Sequence, residues 1–302
     1  MMNKSYPKNT IYNLNIPILN QIPMTRIRIS IARVLYCILH FVLRKDIHRI
    51  CRKGVRYEVD LSEGIDLSIF LFGNFQNHVS NMKYFALSDS TVAIDIGANV
   101  GSMALRFAKL APKGHVFAFE PTDYAFNKLL KNLALNPELA ERITPIQLFI
   151  TDQTQSNPHI KAYSSWKVDG SALKSHRLHG GTIKAADSIA AVNIDDFCQE
   201  NQIQKVNLIK IDTDGHELPV MEGAKKTIEN HHPSLVFEIG LYVLQEQGRA
   251  FEQYFEYLSS YNYTLINSKN GKKITLGNFH QQIPLRSTID IIAVPPKSPN
   301  KS

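Results

Sequence analysis

The sequence predicts an α/β protein with a mostly parallel sheet and an antiparallel pair of strands at one edge. After Ala86, short apolar runs alternate with amphipathic helical patterns, which is typical of a parallel sheet covered on both faces. A glycine turn separates the first strand from its helix, and two strand patterns close the series without a predicted helix between them. With 302 residues, of which 44% are hydrophobic, the chain can bury a full-sized core.

Each element of the series follows from its hydrophobic period. Val55–Leu61 alternates as a lead-in strand, and the series itself begins with a strand at Val92–Ile96 and a helix that ends near Leu110. A third strand is predicted near Ile143–Ile150. The other elements are predicted at HVFAFE (strand), AFNKLLKNLALN (helix), IDDFCQENQ (helix), VNLIKID (strand), LPVMEGAKKTIEN (helix), SLVFEIG (strand), EQYFEYLSS (helix), YNYTLIN (strand) and STIDIIAVP (strand).

The composition divides the chain into four segments. Residues 1–54 form an N-terminal extension that carries a basic amphipathic helix, and residues 55–85 are a strand and loop that lead into the main domain. The main domain covers residues 86–294. The tail at 295–302 is rich in proline and polar residues, so we expect it to be disordered.

The positive charge of the chain is concentrated in one stretch. Residues 26–56 hold nine Lys and Arg and a single acid, whereas the formal charge of the whole chain is +7. The apolar run Val34–Leu43 is ten residues long, about half of the ~20 that a membrane-spanning helix needs. Such a helix either packs on the main domain with its arginines in water or lies on an anionic membrane surface.

The charge pattern and the cysteines limit the setting in which the protein works. The basic stretch lacks the interleaved aromatic residues of a nucleic-acid platform, so we expect no nucleic-acid partner. The three cysteines have no metal-like spacing and are odd in number, which argues against a disulfide framework and fits a reducing compartment. We therefore expect a cytoplasmic protein, with peripheral contact at the inner membrane surface through residues 26–56 as the alternative that the basic helix leaves open.

The stretch VAIDIGANVG places an acid and two glycines around the first strand-to-helix turn. Gly97 and Gly101 allow a tight turn and close approach of a ligand, and Asp95 precedes them. Glu120 ends the next strand, where a carboxylate can accept two hydrogen bonds from ribose hydroxyls. Asn99 stands where a dinucleotide-binding turn has its second glycine, which disfavours a pyrophosphate. Asp95 suits the ammonium group of an amino acid instead, and S-adenosylmethionine carries an amino acid end together with a ribose and an adenine.

Four stretches resemble a known family: DIGANVGSMALRFA, VFAFEPTDYAFNKLLKNLALN, IKIDTDGHELPVMEGA and PSLVFEIG. In this order they are similar to the FkbM-type S-adenosylmethionine-dependent methyltransferases, over about Val55 to Glu238. The resemblance implies a class I methyltransferase (Rossmann-like) fold, with a seven-stranded sheet whose last strand is antiparallel. It also implies O-methylation of a glycan or another small-molecule hydroxyl.

The resemblance also implies roles for individual residues. The methionine part of the cofactor is expected near Asp95, Gly97, Asn99 and Gly101, the ribose on Glu120, and the adenine near Thr151 and Asp152. The chain departs from the family at two positions, with Gln76 where the family often has an acid and Asp214 where it has glutamate.

The stretch KIDTDGHE supplies the candidate catalytic residues. Asp212 ends the fourth strand, and Asp214, His216 and Glu217 follow it. An alcohol loses its proton when it is methylated, so a base is useful, and we expect Asp212 and His216 near the accepting oxygen. The alternatives are a helix cap at Asp212, a turn at Asp214 and a helix-dipole role for Glu217.

A divalent cation is a further hypothesis for this edge of the sheet. Asp212, Asp214 and Glu238 offer the oxygen ligands that a hard cation prefers. The long connection Gln153–Ala191 is a candidate substrate cover or a hairpin without a role in binding. Two other functions compete: a nicotinamide-dependent oxidoreductase, and a non-catalytic membrane-associated protein that keeps the cofactor fold.

Overall fold

The computed structural model describes residues 25–73, 76, 87–154, 161–164, 168, 182–185 and 189–296. Residues 297–302 of the expected disordered tail and most of the long connection 153–191 lie outside these residues. The helices are α1 (Thr25–Leu43), α2 (Gly64–Phe72), α3 (Ser102–Leu110), α4 (Asp123–Ala134), α5 (Pro137–Ala140), α6 (Ile194–Glu200), α7 (Glu217–Glu222), α8 (Lys225–His231), α9 (Leu241–Glu246), α10 (Phe251–Ser260) and α11 (Phe279–Gln282). The strands are β1 (Ile47–Arg52), β2 (Val55–Asp60), β3 (Val92–Ile96), β4 (His115–Phe119), β5 (Ile143–Ile146), β6 (Phe149–Ile150), β7 (Lys161–Ser164), β8 (Thr182–Ala185), β9 (Ala191–Val192), β10 (Leu208–Ile211), β11 (Ser234–Ile239), β12 (Thr264–Asn267) and β13 (Ile289–Val294).

The central sheet has seven strands in the order β12-β13-β11-β10-β3-β4-β5. Strands β5, β4, β3, β10 and β11 run parallel to one another, and β13 runs antiparallel to both β11 and β12. The predicted fold class is therefore confirmed, including the antiparallel last strand. The strand order reverses between β3 and β10, and ligands of such sheets bind at this point, beyond the carboxyl ends of the strands.

Both faces of the sheet are covered, as the buried strands require. Successive residues of a strand point to opposite faces, so Ile94 and Ile96 join one hydrophobic cluster and Ala93 joins the other. Buried residues of α6 to α10 belong to the first cluster, and buried residues of α2, α3 and α4 belong to the second. The glycine turn and the carboxyl ends of β10 and β11 are therefore supported by closely packed core residues on both faces of the sheet.

The N-terminal part is more regular than the sequence predicts. Strands β1 and β2 form an antiparallel hairpin, whose two-residue turn holds Lys53 and Gly54 in the left-handed region. Helix α2 follows where the sequence predicted a strand and a loop, and the left-handed Gly73 ends it. Tyr57, Val59 and Leu67 belong to the same core cluster as α3 and α4, so this part packs directly on the main domain.

Three predicted elements differ in detail from the structure. The third strand is split, because β5 lies in the central sheet while β6 pairs with β9. The helix predicted through LPVMEGAKKTIEN is two helices, α7 and α8, separated at Gly223 and Ala224; a Cβ on Gly223 would lie 2.2 Å from the carbonyl oxygen of Thr151. The four-residue helix α11 lies between β12 and β13, where none was predicted.

Among the described residues, no helix has the length and apolarity to cross a bilayer.

Candidate active site

The turn between β3 and α3 has the unusual backbone that its glycines predict. Gly97, Asn99 and Gly101 all have positive φ, at 74°, 49° and 81°. A Cβ on Gly97 would lie 2.0 Å from the backbone oxygen of Asp212, so only glycine lets β3 and the end of β10 come this close. Asparagine tolerates the left-handed region better than most residues. The conformation of the turn therefore depends on two glycines and an asparagine, which are residue types that tolerate positive φ.

Hydrogen bonds attach this turn to β4. The backbone N–H groups of Gly97 and Ala98 both donate to the carbonyl oxygen of Phe119, at 2.9 Å. The next N–H, of Asn99, donates to Oε2 of Glu120 at 3.0 Å. The ends of β3 and β4 are thus connected through consecutive amides.

Glu120 is held from both sides at the end of β4. Its Oε1 accepts hydrogen bonds from the N–H of Thr122 at 3.0 Å and from the Thr122 hydroxyl at 2.6 Å. The residue is 5% exposed, and burial raises its pKa, while the bonds from Thr122 and Asn99 act in the opposite direction. A carboxylate has about four acceptor positions, and three are used by Asn99 and Thr122, so Glu120 keeps capacity for about one further hydroxyl donor.

Asp95 lies beneath the turn and not at its surface. The residue is 0% exposed, and Oδ1 lies 3.6 Å from Nζ of Lys210, its register partner on β10. Among the described residues neither carboxylate oxygen makes a short, well-aligned hydrogen bond, although Lys210 and the N–H of Ala104 stabilise its charged form. Burial raises the pKa of Asp95, and the Lys210 ammonium opposes that shift. The expected role of Asp95 toward a cofactor stays a prediction.

Lys210 is a site residue that the sequence reasoning missed. Its side chain is buried in the central strand β10, and Nζ donates to Oδ2 of Asp212 at 3.2 Å. Burial alone would lower the pKa of Lys210, but Asp212, Asp95 and Asp290 together raise it. The available signal was a lysine inside an otherwise apolar strand, because lysine is almost never fully buried without a partner.

Asp212 accepts a second hydrogen bond, from Gln76. The Nε2 of Gln76 lies 2.7 Å from Oδ2 of Asp212, and Gln76 has a φ of 58°. Its Oε1 is buried and has no hydrogen-bond partner among the described residues. Gln76, one of the two positions at which the chain departs from the family pattern, therefore contacts Asp212 at the end of β10.

A cleft opens beside the ends of β10 and β11. It has a cavity volume of about 90 Å³ and is lined by Asp214, Gly215, Glu217, Glu238, Ile239, Gly240, Tyr242, Val243, Leu244 and Thr288. The Thr288 hydroxyl donates to Oε1 of Glu238 at 2.5 Å. Burial raises the pKa of Asp214 to about 8, and the charges of Asp212 and Glu217 add to this shift. Burial, Asp212 and Asp290 also raise the pKa of Glu238.

Glu217 stabilises the loop that carries Asp214. Its Oε1 accepts hydrogen bonds from the N–H and hydroxyl of Thr213 and from the N–H of Gly215. Burial raises its pKa to about 7 despite these bonds. The carboxylate therefore shapes the loop between β10 and α7 from within.

His216 contacts the residues expected near the adenine. Its Nε2 lies 3.0 Å from the hydroxyl of Thr151, and its ring lies 5.1 Å from that of Phe149. The Thr151 hydroxyl donates its single proton to Asp152 at 2.8 Å, so Nε2 of His216 carries the proton of this contact. Burial and Arg249 lower the pKa of His216. Its role as a base stays a prediction.

The cation hypothesis is not supported by the structure. Among the described residues, no three His, Cys, Asp or Glu side chains are arranged to hold a metal ion. Two of the three predicted ligands face other partners: Asp212 accepts from Gln76 and Lys210, and Glu238 accepts from Thr288. Asp212 and Glu238 are thus held by protein donors, and Asp214 lies beside other acids.

A family model described as "Methyltransferase FkbM domain" matches residues 95–265. The chain belongs to this family. The match begins at Asp95 and contains Glu120, Asp212 and Glu238, whereas Gln76 lies before it. The resemblance expected from the four stretches is confirmed.

Curated relatives match the same part of the chain. The 2-O-methyltransferase NoeI of Sinorhizobium fredii is 30% identical over 149 residues, which is 45% of this chain and 58% of NoeI. The hexuronic acid methyltransferase AglP of Haloferax volcanii is 22% identical over 142 residues, which is 47% of this chain and 53% of AglP. The chain thus spans little more than half the length of these relatives.

Solved structures also include a member of the family. The FkbM methyltransferase of Methylobacillus flagellatus superposes with a TM-score of 0.46 at 19% identity, over 71% of this chain and 47% of that one.

Proposed function

We propose that this protein is an S-adenosylmethionine-dependent O-methyltransferase that methylates a hydroxyl of a glycan or of another small molecule. The observation that carries the proposal is the connection between the ends of β3 and β4, where the Glu120 carboxylate accepts a hydrogen bond from the N–H of Asn99 in the glycine turn. Membership of the FkbM family supports methyl transfer. The names of NoeI and AglP, a 2-O-methyltransferase and a hexuronic acid methyltransferase, support a sugar acceptor.

The residues at this edge of the sheet fit the proposed cofactor. The hydroxyl of Ser102, at the start of α3, and Oε1 of Gln76 are buried and have no hydrogen-bond partner among the described residues. Because such atoms are costly to leave unpaired, they favour a polar ligand here. When bound, S-adenosylmethionine supplies a methyl group on a positively charged sulfur.

We assign the parts of the cofactor to residues as the family resemblance implies. Gly97, Asn99 and Gly101 would hold the methionine part, with the carboxyl group of Asp95 beneath it. Glu120 would accept a ribose hydroxyl with the acceptor position that Thr122 and Asn99 leave open. Thr151 and Asp152, which are joined by a hydrogen bond, would face the adenine, and His216 would position Thr151.

The acceptor would enter the cleft beside Asp214 and Glu238. Asp212 ends β10 between this cleft and the turn, and donors from Gln76 and Lys210 fix the orientation of its carboxylate. We assign to Asp212 the contact with the reacting hydroxyl and the acceptance of its proton. Holding the hydroxyl in line with the methyl group supplies much of the rate in such a displacement.

Calorimetric titration with S-adenosylhomocysteine and with NAD separates the proposal from the oxidoreductase alternative. We expect S-adenosylhomocysteine to bind and NAD to fail, because Asn99 stands where a pyrophosphate needs a glycine. Binding of NAD alone would refute the assignment of the cofactor.

Methyl transfer is tested with labelled S-adenosylmethionine and a panel of neutral sugars, uronic acids and oligosaccharides. We expect label in at least one sugar and loss of that activity in Asp212→Asn, with binding of S-adenosylhomocysteine retained. A protein that binds the cofactor product but labels no acceptor from the panel or from fractionated cell extract would be the non-catalytic alternative.

A further inference from the structure

Helix α1 has two apolar faces on opposite sides. One face packs on the main domain, where Ala32, Tyr36, Leu39 and Leu43 contact the core cluster that contains α2, α3 and α4. This contact agrees with the prediction that the helix packs on the main domain. It also fixes the orientation of the helix and therefore shows which side chains face outward.

The outward face carries large apolar side chains in water. Phe41 is 78% exposed, Val42 66%, Val34 60% and Ile38 55%. At 3.6 residues per turn these four lie within an arc of about 100°, and this arc is opposite to the packed face. Because single exposed apolar residues are common but a row of four on one helix face is not, this face indicates an interaction site.

The surroundings of this face are basic. Residues 26–56 hold nine Lys and Arg and one acid, Asp46. The Asp46 carboxylate is bound by Nδ1 of His40 at 2.8 Å, and Arg33, Arg44 and Lys45 are exposed. Two copies of this chain that met through this face would bring two concentrations of positive charge together, which is unfavourable.

We propose that α1 binds an anionic lipid surface, with Val34, Ile38, Phe41 and Val42 entering the interface and the neighbouring Lys and Arg contacting lipid headgroups. The helix lies in the plane of the surface. An amphipathic helix with a basic border binds membranes by adding apolar burial to attraction for anionic lipid. The main domain, which is packed on the other face of α1, is then held at the membrane.

The test is co-sedimentation of the full chain with vesicles of phosphatidylcholine mixed with phosphatidylglycerol, and with vesicles of phosphatidylcholine alone. We expect binding to the anionic vesicles that weakens at high salt, because salt screens exposed charges, and little binding to the neutral ones. The double variant Ile38→Asn/Phe41→Asn should bind the anionic vesicles at least about tenfold more weakly, a change of about 1.4 kcal/mol.

The matched control is Leu285→Asn, which removes another strongly exposed apolar side chain, 71% exposed, outside α1. It should bind vesicles like the wild type, and all variants should keep the wild-type melting temperature. The proposal is overturned if the wild type stays in solution with anionic vesicles or if both variants bind equally. It is also overturned if light scattering shows a dimer that only the α1 variant dissociates, because this face would then join two copies.

Discussion

Glu120 combines a structural and a binding function in one carboxylate. Its oxygens accept hydrogen bonds from Asn99 and Thr122, which connects the glycine turn to the start of α4. Under the proposed function, the same carboxylate also accepts a ribose hydroxyl. A carboxamide in place of the carboxylate keeps the shape but removes the charge and replaces one acceptor with a donor.

We therefore predict that Glu120→Gln binds S-adenosylhomocysteine about tenfold to a hundredfold more weakly than the wild type. Hydrogen bonds to a charged group contribute about 1.5–3 kcal/mol each, and calorimetry measures the difference. The control is Glu138→Gln, at an exposed glutamate of α5. Equal affinity of Glu120→Gln and the wild type would show that Glu120 only supports the turn.

Asp214 differs from Glu120 because its neighbours are acids and not hydrogen-bond donors. Burial, Asp212 and Glu217 raise its pKa from 3.8 to about 8. The folded protein therefore holds a proton on Asp214 at pH values at which the unfolded chain has released it. The sign follows from linkage: the stability associated with this group is full below pH 3.8 and is lost as the pH rises to about 8.

We predict that Asp214→Asn makes the free energy of unfolding less dependent on pH across this window. Asparagine tolerates the φ of 53° at this position and carries no charge, so the variant should be more stable than the wild type above pH 8. Urea denaturation at several pH values measures this effect. The control Asp89→Asn changes an exposed acid and should keep the wild-type slope; the same slope in Asp214→Asn would contradict the shifted pKa.

At the scale of elements, the turn between β3 and α3 depends on a close backbone approach. Gly97 combines a φ of 74° with a position where a Cβ would lie 2.0 Å from the backbone oxygen of Asp212. A backbone atom cannot move aside as a flexible side chain does. The contact therefore makes the junction of β3 and β10 specific for glycine.

Gly97→Ala should therefore destabilise the protein more than Gly248→Ala does. Gly248 has a similar φ of 66° but no atom within 4 Å of the position of a Cβ. Gly248→Ala should lower the free energy of unfolding by about 1–2 kcal/mol, because alanine is strained in the left-handed region. Gly97→Ala adds the steric clash with Asp212 and should lower it by at least about 3 kcal/mol. Denaturant unfolding measures both values, and similar losses would show that the strands can separate to admit the methyl group.

At the scale of the whole molecule, Asn132 on α4 joins three parts of the chain. Its Oδ1 accepts from the N–H of Glu58 on β2 at 2.9 Å, and its Nδ2 donates to the carbonyl of Val100 in the glycine turn at 2.8 Å. The residue is buried. The N-terminal hairpin and the cofactor turn are thus connected through one side chain of the main domain.

We predict that Asn132→Ala lowers the free energy of unfolding by about 2–4 kcal/mol, because it leaves two buried backbone groups unpaired at about 1–3 kcal/mol each. Asn127→Ala changes an exposed asparagine of the same helix and should change the stability by less than about 1 kcal/mol. Both proteins should unfold in one transition, followed by circular dichroism. A separate early transition in Asn132→Ala would show that the hairpin unfolds independently.

Local patterns in the sequence were sufficient to predict the sheet. The alternation of Val92–Ile96 with the helix that follows it, and the glycines between them, depend on neighbours along the chain, so the period of apolar residues reveals them. Glu120 and Asp212 were found for the same reason, since each ends a recognisable strand. The split of the third strand was missed because β6 pairs with β9, which lies about 40 residues farther along the chain.

Contacts between distant residues were decided only by the tertiary structure. It placed Gln76 and Lys210 on Asp212, His216 on Thr151, and Asp95 beneath the turn. It also showed which face of α1 remains exposed, although its basic and apolar composition was already visible. The physical reason is that residue type and spacing determine which element forms, whereas a hydrogen bond or a charge shift depends on side chains that only the packed fold brings together.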